Sequence, residues 1–240
     1  MTNINFEERA VAFIDVLGFK AIVDNAAVGS DNFELLRDLI GTLENALPNL
    51  NSQVNSDVPT ELIPKHIYIS DSIILSAPLS SEKMKGYCGL SILVMRVIQL
   101  THLFLSKGYL IRGGISIGKV WHSDSNIVGP AYQEAYLLET KTGVPRIELS
   151  DSAKAHWDKI NGKGNFMCLD YRNCFMVNGL HDYYIQDFTH GAAERKFGSY
   201  LETINQKLST INNESARYKW WWYKEFLESE ISRNDYIVHT

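Results

Sequence analysis

The sequence predicts an α+β fold whose elements follow the ferredoxin-like order βαββαβ, with an added C-terminal extension of strands and helix. Three observations support this prediction. Residues 10–17, "AVAFIDVL", form a near-continuous apolar run that is typical of a central strand buried on both faces. Two later segments carry apolar residues at helical spacing. Between those segments, "IPKHIYISDSIILSAP" has the two short apolar runs of a β-hairpin.

The helices and the hairpin can be placed in order along the chain. After the first strand, Gly18 predicts a turn. The first helix is expected to end near Pro48, before the polar loop "NLNSQVNSDVPTE", and its apolar stripe comprises Phe33, Leu36, Ile40, Leu43 and Leu47. The hairpin carries Asp71 at its tip. The second helix ends at Gly108, ahead of the strand "YLIRGGISIGKV", and its stripe comprises Leu90, Leu93, Val97, Leu100 and Phe104.

Beyond residue 125 the pattern continues with shorter elements. A helix is predicted over "GPAYQEAYLLET", a strand over "PRIELS" and a second helix over "SAKAHWDKI". Strands or a hairpin are predicted over "FMCLDYRNCFMVNGLHDYYIQDF", and a final helix from about 192 to 229. That last helix contains "ARYKWWWYKEFLE", whose tryptophans suit burial against the sheet, a dimer interface or a binding cage.

The composition limits the classes of function. The chain has 240 residues, of which 45% are hydrophobic, enough for one large core. Three cysteines without a CxxC spacing predict neither a disulfide framework nor a zinc site, so a cytoplasmic location is expected. The net charge of −5 and the lack of basic runs argue against a nucleic-acid polymer as partner, and neither a signal segment nor a membrane span is predicted.

An aspartate within the first apolar run is the strongest indication of function. Asp15 is flanked by apolar residues, where an ionised carboxylate is costly unless it is paired or holds a metal ion. The predicted topology brings Asp15 beside Asp71, although they are 71 − 15 = 56 residues apart. Two such carboxylates suit Mg²⁺ or Mn²⁺ in phosphoryl or nucleotidyl transfer. A structural role as a cap stays open for Asp71 considered alone.

The residues that follow Asp15 suit phosphate binding. In "VLGFK", the backbone N–H groups around Gly18 and Phe19 can point at phosphate oxygens, and Lys20 adds positive charge.

Taken in order, these motifs resemble class III nucleotidyl cyclases. "FIDVLGF" is similar to their first metal motif, "SDS" lies where their second metal aspartate lies, and "IRGGISIGKV" and "GPAYQEAYLLE" resemble their glycine-containing strand and substrate-site helix. More narrowly, "FIDVLGFK", "GGISIG", "AYQEAYLLE", "PRI" and the aromatic end helix look like the pyrimidine cyclases of bacterial antiphage signalling. The resemblance implies a cyclase domain over 8–175, a C-terminal extension over 176–240 packed on the same domain, and two divalent ions held by Asp15, Val16 and Asp71.

The resemblance also assigns base-reading positions, with one departure. Purine cyclases of this class place a lysine where Ile67 stands here, so an adenine-specific contact is missing. The second base-reading position falls near Asn126, whose amide offers both a donor and an acceptor to a pyrimidine. Tyr132 and Tyr136 lie on one helix face and suit either base stacking or core packing.

A second departure concerns transition-state charge. The family's asparagine and arginine align with Gln133 and Leu137, so the arginine is absent from its usual place. The alternative cations are Arg112, Arg146 and Lys163, because a phosphoryl transition state needs fixed positive charge. For Arg112, a structural salt bridge is an equally good interpretation.

The function that the resemblance implies is conversion of UTP or CTP, with UTP favoured, into a cyclic pyrimidine monophosphate and pyrophosphate. It further implies a homodimer with composite active sites and a cyclic-nucleotide-responsive effector downstream. Two alternatives stay open, which are a purine cyclase and a nucleotide-sensing module without turnover.

Overall fold

The computed structural model describes residues 4–29, 33–162, 165–185 and 189–238. The strands within these ranges are β1 (Glu7–Val16), β2 (Lys65–Ile69), β3 (Ser72–Pro78), β4 (Ile111–His122), β5 (Ile127–Val128), β6 (Ile147–Leu149), β7 (Cys168–Tyr171) and β8 (Cys174–Val177). The α-helices are α1 (Phe19–Val28), α2 (Phe33–Ser52), α3 (Gly89–Ser106), α4 (Pro130–Lys141), α5 (Asp151–Asn161), α6 (Ala192–Thr210) and α7 (Glu214–Arg233).

One sheet in the order β2-β3-β1-β4-β6-β8-β7 organises the fold, and β5 pairs with β4 off this path. The first strand, β1, lies between β3 and β4 and is antiparallel to both. This is the central position that the ferredoxin-like order predicts, and the predicted α+β fold is confirmed. The predicted boundary between 175 and 176 falls inside β8, and the division into a catalytic domain and an extension stays a prediction.

The two faces of β1 have different neighbours. Ala10, Ala12 and Ile14 belong to the larger core, which includes residues of α2 and α3. Val11 and Phe13 point to the other face and pack against α4. Because side chains alternate along a strand, Asp15 shares the α4 face with Val11 and Phe13.

Among the residues that the structure describes, α3 is the one helix long and apolar enough to cross a membrane, by length and composition alone. Of this 18-residue helix, 67% is buried inside the fold, which is typical of the core helix of a folded domain. The predicted cytoplasmic location stays a prediction.

The C-terminal helices form a second core with the sheet. Its α7 residues include Trp220, Trp222 and Phe226, which pack with α6 and with Met176 of β8. Trp221 is 43% exposed and stacks on Tyr218. Two of the three tryptophans, Trp220 and Trp222, are therefore buried.

Two predicted element boundaries were wrong, whereas the turn predicted at Gly18 is present and leads directly into α1. Helix α2, which was predicted to end near Pro48, continues through Pro48 to Ser52, so the predicted polar loop is helical at its start. The single predicted helix over 192–229 is two helices, α6 and α7, separated at 211–213.

Candidate active site

The topology brings Asp15 and Asp71 together. Asp15 pairs in register with Ser72, the residue that follows Asp71 in the β2–β3 hairpin. The Val16 N–H donates a hydrogen bond to the Asp71 main-chain oxygen at 3.1 Å. Ser70 adopts the left-handed region with φ 57°, which closes the tight turn that holds Asp71.

Burial and charge act on the Asp15 carboxylate in opposite directions. Its side chain is 14% exposed, and burial together with repulsion from Asp71 raises its pKa from 3.8 to about 7, although Arg112 opposes this rise. The cost that the sequence predicted for this carboxylate is therefore present. A cation between the two aspartates would relieve it.

Arg112 links the strand end to α4. It lies opposite Asp15 in the β1–β4 register, and its Nε is 3.2 Å from an Asp15 carboxylate oxygen and 2.6 Å from Glu139. Its Nη1 donates to the Thr142 main-chain oxygen at 3.1 Å. The ion-pair interpretation of Arg112 is the one that the structure shows.

Sequence reasoning missed Glu139. Glu139 is 4% exposed, and burial raises the pKa of its carboxyl group, whereas the positive charge of Arg112 lowers it. A signal existed, because Ala131, Ala135 and Glu139 recur every four residues and together form the buried face of α4. A carboxylate at the end of such a stripe needs a buried cation, and Arg112 is that cation.

The turn after Asp15 leads directly into α1, and phosphate binding there stays a prediction. Gly18 has φ 88°, a region that favours glycine, and α1 begins at the next residue. The first N–H groups of α1 therefore begin four residues beyond Asp15. Phe19 packs against the larger core, whereas Lys20 is exposed and pairs with Asp24 at 2.5 Å.

Asn126 lies far from the aspartates within one chain. It is exposed in the turn between β4 and β5, where its N–H bonds to the Ser123 hydroxyl at 3.0 Å. Arg112 lies opposite Asp15, and His122 ends β4 just before the turn that holds Asn126. These two residues are 122 − 112 = 10 positions apart along the strand, which is roughly 30 Å at the usual strand rise. The structure does not bring Asn126 to the Asp15 and Asp71 pair.

The residues predicted on α4 and β2 line the sheet beside the aspartates. Ile67 and Tyr132 pack against the small apolar cluster around Phe13, with the Phe13 and Tyr132 ring centroids 6.2 Å apart. The ring of Tyr136 packs edge-on against Phe13, with the ring centroids 5.2 Å apart, and Tyr136 is 44% exposed. Gln133 is exposed and faces away from the buried stripe of α4.

The other predicted cations differ in availability. Arg146 is held by Glu148, with its Nε donating at 2.7 Å. Lys163 lies outside the described residues. A further lysine that sequence reasoning missed, Lys219 of α7, is near enough for Asp15 and Arg112 to shift its pKa.

The available oxygen ligands fit a hard divalent cation. Asp15 and Asp71 supply carboxylate oxygens, and Val16, whose side chain is apolar and buried, could offer its main-chain carbonyl oxygen. Within the described ranges, no group of three or more His, Cys, Asp or Glu side chains has a metal-binding arrangement. The metal ligands proposed from the sequence are therefore two carboxylates and one carbonyl.

Comparison with known proteins identifies the fold. No family model matches the chain, and no curated protein matches it. The catalytic core of a rhodopsin-guanylyl cyclase with converted specificity, in complex with ATPαS, is similar with a TM-score of 0.50 and 17% identity, over 73% of this chain and 98% of that chain.

Two further structures resemble the chain with TM-scores under 0.5. The adenylyl cyclase CyaB from P. aeruginosa has 14% identity and a TM-score of 0.49, over 73% of this chain and 94% of that chain. A class III adenylyl cyclase-like ATP-binding protein from Pseudomonas aeruginosa has 11% identity and a TM-score of 0.47, over 95% of this chain and 44% of that chain. The likeness to the guanylyl cyclase core shows that the chain has the nucleotidyl cyclase fold.

Proposed function

We propose that the protein is a pyrimidine nucleotide cyclase that converts UTP or CTP into the 3′,5′-cyclic monophosphate and pyrophosphate, with UTP favoured. The observation that carries this proposal is the meeting of Asp15 and Asp71 at adjacent strand ends of the cyclase fold. The raised pKa of Asp15 supports it, because strongly shifted carboxylates cluster at functional sites.

The chain's own residues supply positioning and charge. Asp15, Asp71 and the Val16 carbonyl would hold two Mg²⁺ or Mn²⁺ ions, which when bound lower the pKa of the ribose 3′-hydroxyl and neutralise the triphosphate. The 3′-hydroxyl gives its proton to solvent water, its oxygen attacks the α-phosphorus, the bond from that phosphorus to the bridging oxygen breaks, and pyrophosphate leaves. Arg112, fixed by Glu139, orients the Asp15 carboxylate, and the start of α1 offers N–H donors to phosphate.

The choice of base rests on the positions that the family resemblance assigns. An isoleucine at position 67 offers no hydrogen bond, so it cannot make the contact that a lysine makes to adenine. Asn126 reads the pyrimidine edge and Tyr132 packs beside the base. The exposed Asn126 amide is free to do this, since only its backbone forms hydrogen bonds with described residues.

A homodimer with composite sites explains why Asn126 lies away from the aspartates of its own chain and why Gln133 faces away from the buried stripe of α4. Both are exposed, as residues that reach into a partner's site must be. Ile69 and Leu137 are also exposed, at 53% and 50%, and apolar side chains of this kind suit a subunit interface. In this arrangement one subunit supplies the metal ligands and its partner the base contacts.

The cellular role follows the narrower resemblance. The cyclic pyrimidine nucleotide is a second messenger in antiphage defence, and a cyclic-nucleotide-responsive effector protein receives it in the cytoplasm.

The decisive experiment incubates the purified protein with MnCl₂ and each of the four ribonucleoside triphosphates, with products identified by mass spectrometry. We expect a cyclic pyrimidine monophosphate from the wild type and none from Asp71→Ala. Asp170→Ala, a change at an exposed aspartate of β7, is the matched control and retains activity. Cyclic AMP or cyclic GMP as the product would overturn the pyrimidine assignment.

A nucleotide-sensing module without turnover is the second candidate function. Leu137, in the place of the family's arginine, is favourable to it, because no cation stands at that position. Calorimetric binding of a triphosphate without pyrophosphate release would identify this function instead.

A further inference from the structure

The last strand of the sheet, β7, has an open edge. It pairs with β8 on one side, and no strand among the described residues pairs with it on the other. In the sheet order β7 is four strands from β1, which is roughly 19 Å at the usual strand spacing. This edge is therefore separate from the aspartates of the candidate active site. An open edge presents main-chain donors and acceptors that can pair with another chain.

The turn between β7 and β8 determines which main-chain groups face this edge. Arg172 and Asn173 form a two-residue turn, and both have positive φ, at 51° and 61°, as in a type I′ hairpin. The flanking residues Tyr171 and Cys174 exchange hydrogen bonds in such a hairpin, and bonded pairs alternate along the strands. The N–H and C=O of Asp170 consequently point away from β8. Neither group bonds to a residue in the described ranges outside the hairpin.

A cavity of about 710 Å³ follows the open edge. All four residues of β7, Cys168–Tyr171, line this cavity. Helix α5 lines it from one face of the sheet, where Trp157 belongs to the larger core, and the end of α7 lines it from the other face. Because both faces contribute, the cavity extends around the edge of the sheet and is not confined beneath one face.

The α5 side of this edge cavity is aromatic. Asp170 pairs across the hairpin with Phe175, and Cys168, two residues earlier, shares their face of the sheet. Trp157 and Phe175 line the cavity on that face. Phe166, just before β7, lines the cavity as well and is 56% exposed. A side chain placed opposite Cys168 would therefore meet an apolar wall.

The charged residues of the edge cavity leave one negative charge without a partner. Lys154 lies 3.3 Å from Asp158, and Arg233 is paired with Glu230. Asp170, in contrast, is exposed and forms no ion pair with a residue that the structure describes. A side chain placed opposite Asp170 would therefore be favoured by a positive charge.

We propose that β7 binds an extended peptide of a partner protein, which adds a strand to the sheet and carries a large apolar residue and a Lys or Arg two positions apart. Main-chain hydrogen bonds at Asp170 fix its register, the apolar side chain enters the cavity beside Trp157 and Phe175, and the cation pairs with Asp170. The spacing is two because alternate residues of a strand share a face. This docking function goes beyond the proposed cyclase activity and does not depend on it.

Peptide selection tests the proposal. The probe is a phage-displayed library of random twelve-residue peptides, selected on the purified wild-type protein and depleted on the double variant Phe166→Ser/Asp170→Lys. Selected peptides should share the apolar and basic pair, and fluorescence polarisation measures their affinity. We expect Asp170→Lys to weaken binding about five- to tenfold, because an attractive charge pair becomes repulsive, and a peptide with Glu in place of its cation to bind that variant again. Methylation of single peptide amide nitrogens should weaken binding at alternate positions only, since alternate N–H groups face β7.

A matched control changes the same charge elsewhere. Asp57→Lys, at an exposed aspartate that does not line the cavity, should leave the affinity unchanged. Thermal midpoints report the folding of each variant. A selection that yields no peptide whose binding depends on Asp170 or Phe166 overturns the proposal, as does methylation that weakens binding equally at all positions. A wild-type dimer that dissociates in Asp170→Pro, which lacks the edge-facing N–H, would assign the edge to a second copy of the chain and likewise overturn it.

Discussion

At the scale of single residues, Asp15 shows what the sequence could and could not predict. A carboxylate inside an apolar run requires a cation or a paired group, and the predicted strand order places Asp71 beside it as a second metal ligand. The sequence offers the counter-ion that the structure shows, Arg112, either as a cation for the transition state or as a salt-bridge residue, and names no partner for it. Glu139 was missed, because a glutamate on a surface-like helix is usually solvated and only its four-residue spacing from Ala135 indicates burial.

The raised pKa of Asp15 predicts an unusual dependence of stability on pH. The pKa of the Asp15 carboxyl group in the folded protein, about 7, lies above its ordinary value of 3.8, so ionisation costs folded-state free energy as pH rises from about 4 through 7. The variant Asp15→Asn does not ionise and should escape this cost. Without divalent metal, its advantage over the wild type in free energy of unfolding should grow from near zero at pH 4 to on the order of 4 kcal/mol at pH 8.

Urea unfolding at a series of pH values, in EDTA, measures this advantage. Addition of MnCl₂ at pH 8 should stabilise the wild type and leave Asp15→Asn unchanged, since the metal replaces the missing counter-charge. An advantage that does not vary with pH would contradict the placement of Asp15 in a buried, acidic site.

The ion pair between Arg112 and Glu139 predicts an effect of α4 on metal affinity. With Glu139→Gln, Arg112 keeps Asp15 as its one carboxylate partner among the described residues, and a negative charge near the site is lost. Both effects disfavour a cation at Asp15, so Mn²⁺ should bind about tenfold more weakly, as measured by titration with electron paramagnetic resonance. Glu134→Gln, on the same helix but bonded to Ser116, should bind Mn²⁺ like the wild type. Equal losses in the two variants would assign the effect to overall charge.

At the scale of elements, periodicity predicted the long helices and failed at the boundaries. The stripe that identified α3 is buried over its whole length, as expected for a helix that packs on the sheet. The stripe that identified α2 is buried only at its C-terminal end, at Leu43 and Leu47, whereas Phe33 and Ile40 are exposed. Proline at position 48 did not end α2, since proline removes one hydrogen bond and bends a helix without always stopping it. The break at 211–213 was missed because Asn213, the cap of α7, is one polar residue among many.

The close approach of α4 to β4 predicts opposite effects for two glycine substitutions. A Cβ at Gly114 would lie 2.5 Å from the Ala135 main-chain oxygen and from Leu138 Cβ, so α4 would have to move. Gly114→Ala should therefore destabilise the protein by about 1–3 kcal/mol and weaken Mn²⁺ binding through Glu139. Gly41→Ala, in α2 with no atom within 4 Å, should stabilise it by about 0.5–1 kcal/mol. Urea unfolding measures the change in free energy of unfolding for both variants, and changes of the same sign would contradict the packing of α4 on Gly114.

At the scale of the whole molecule, the order of elements carried most of the prediction. The βαββαβ order places the first strand at the centre of the sheet, and Asp71 then lies beside Asp15 irrespective of the conformations of the loops. The position of α7 could not be derived in this way, because an aromatic helix can pack on many apolar surfaces.

The distance between Asn126 and the aspartates predicts that two inactive variants restore activity when mixed. Asp71→Ala lacks a metal ligand, whereas the double variant Asn126→Ala/Gln133→Ala lacks the contacts made to the partner's substrate. If sites are composite, subunits exchanged at equal amounts form heterodimers in half of the dimers, each with one intact site of two. Activity should then return to about a quarter of the wild-type value. The rate of cyclic nucleotide formation before and after mixing measures it. Sites contained within one chain would give no recovery, and a double variant that is active alone would show that Asn126 and Gln133 do not contact the substrate.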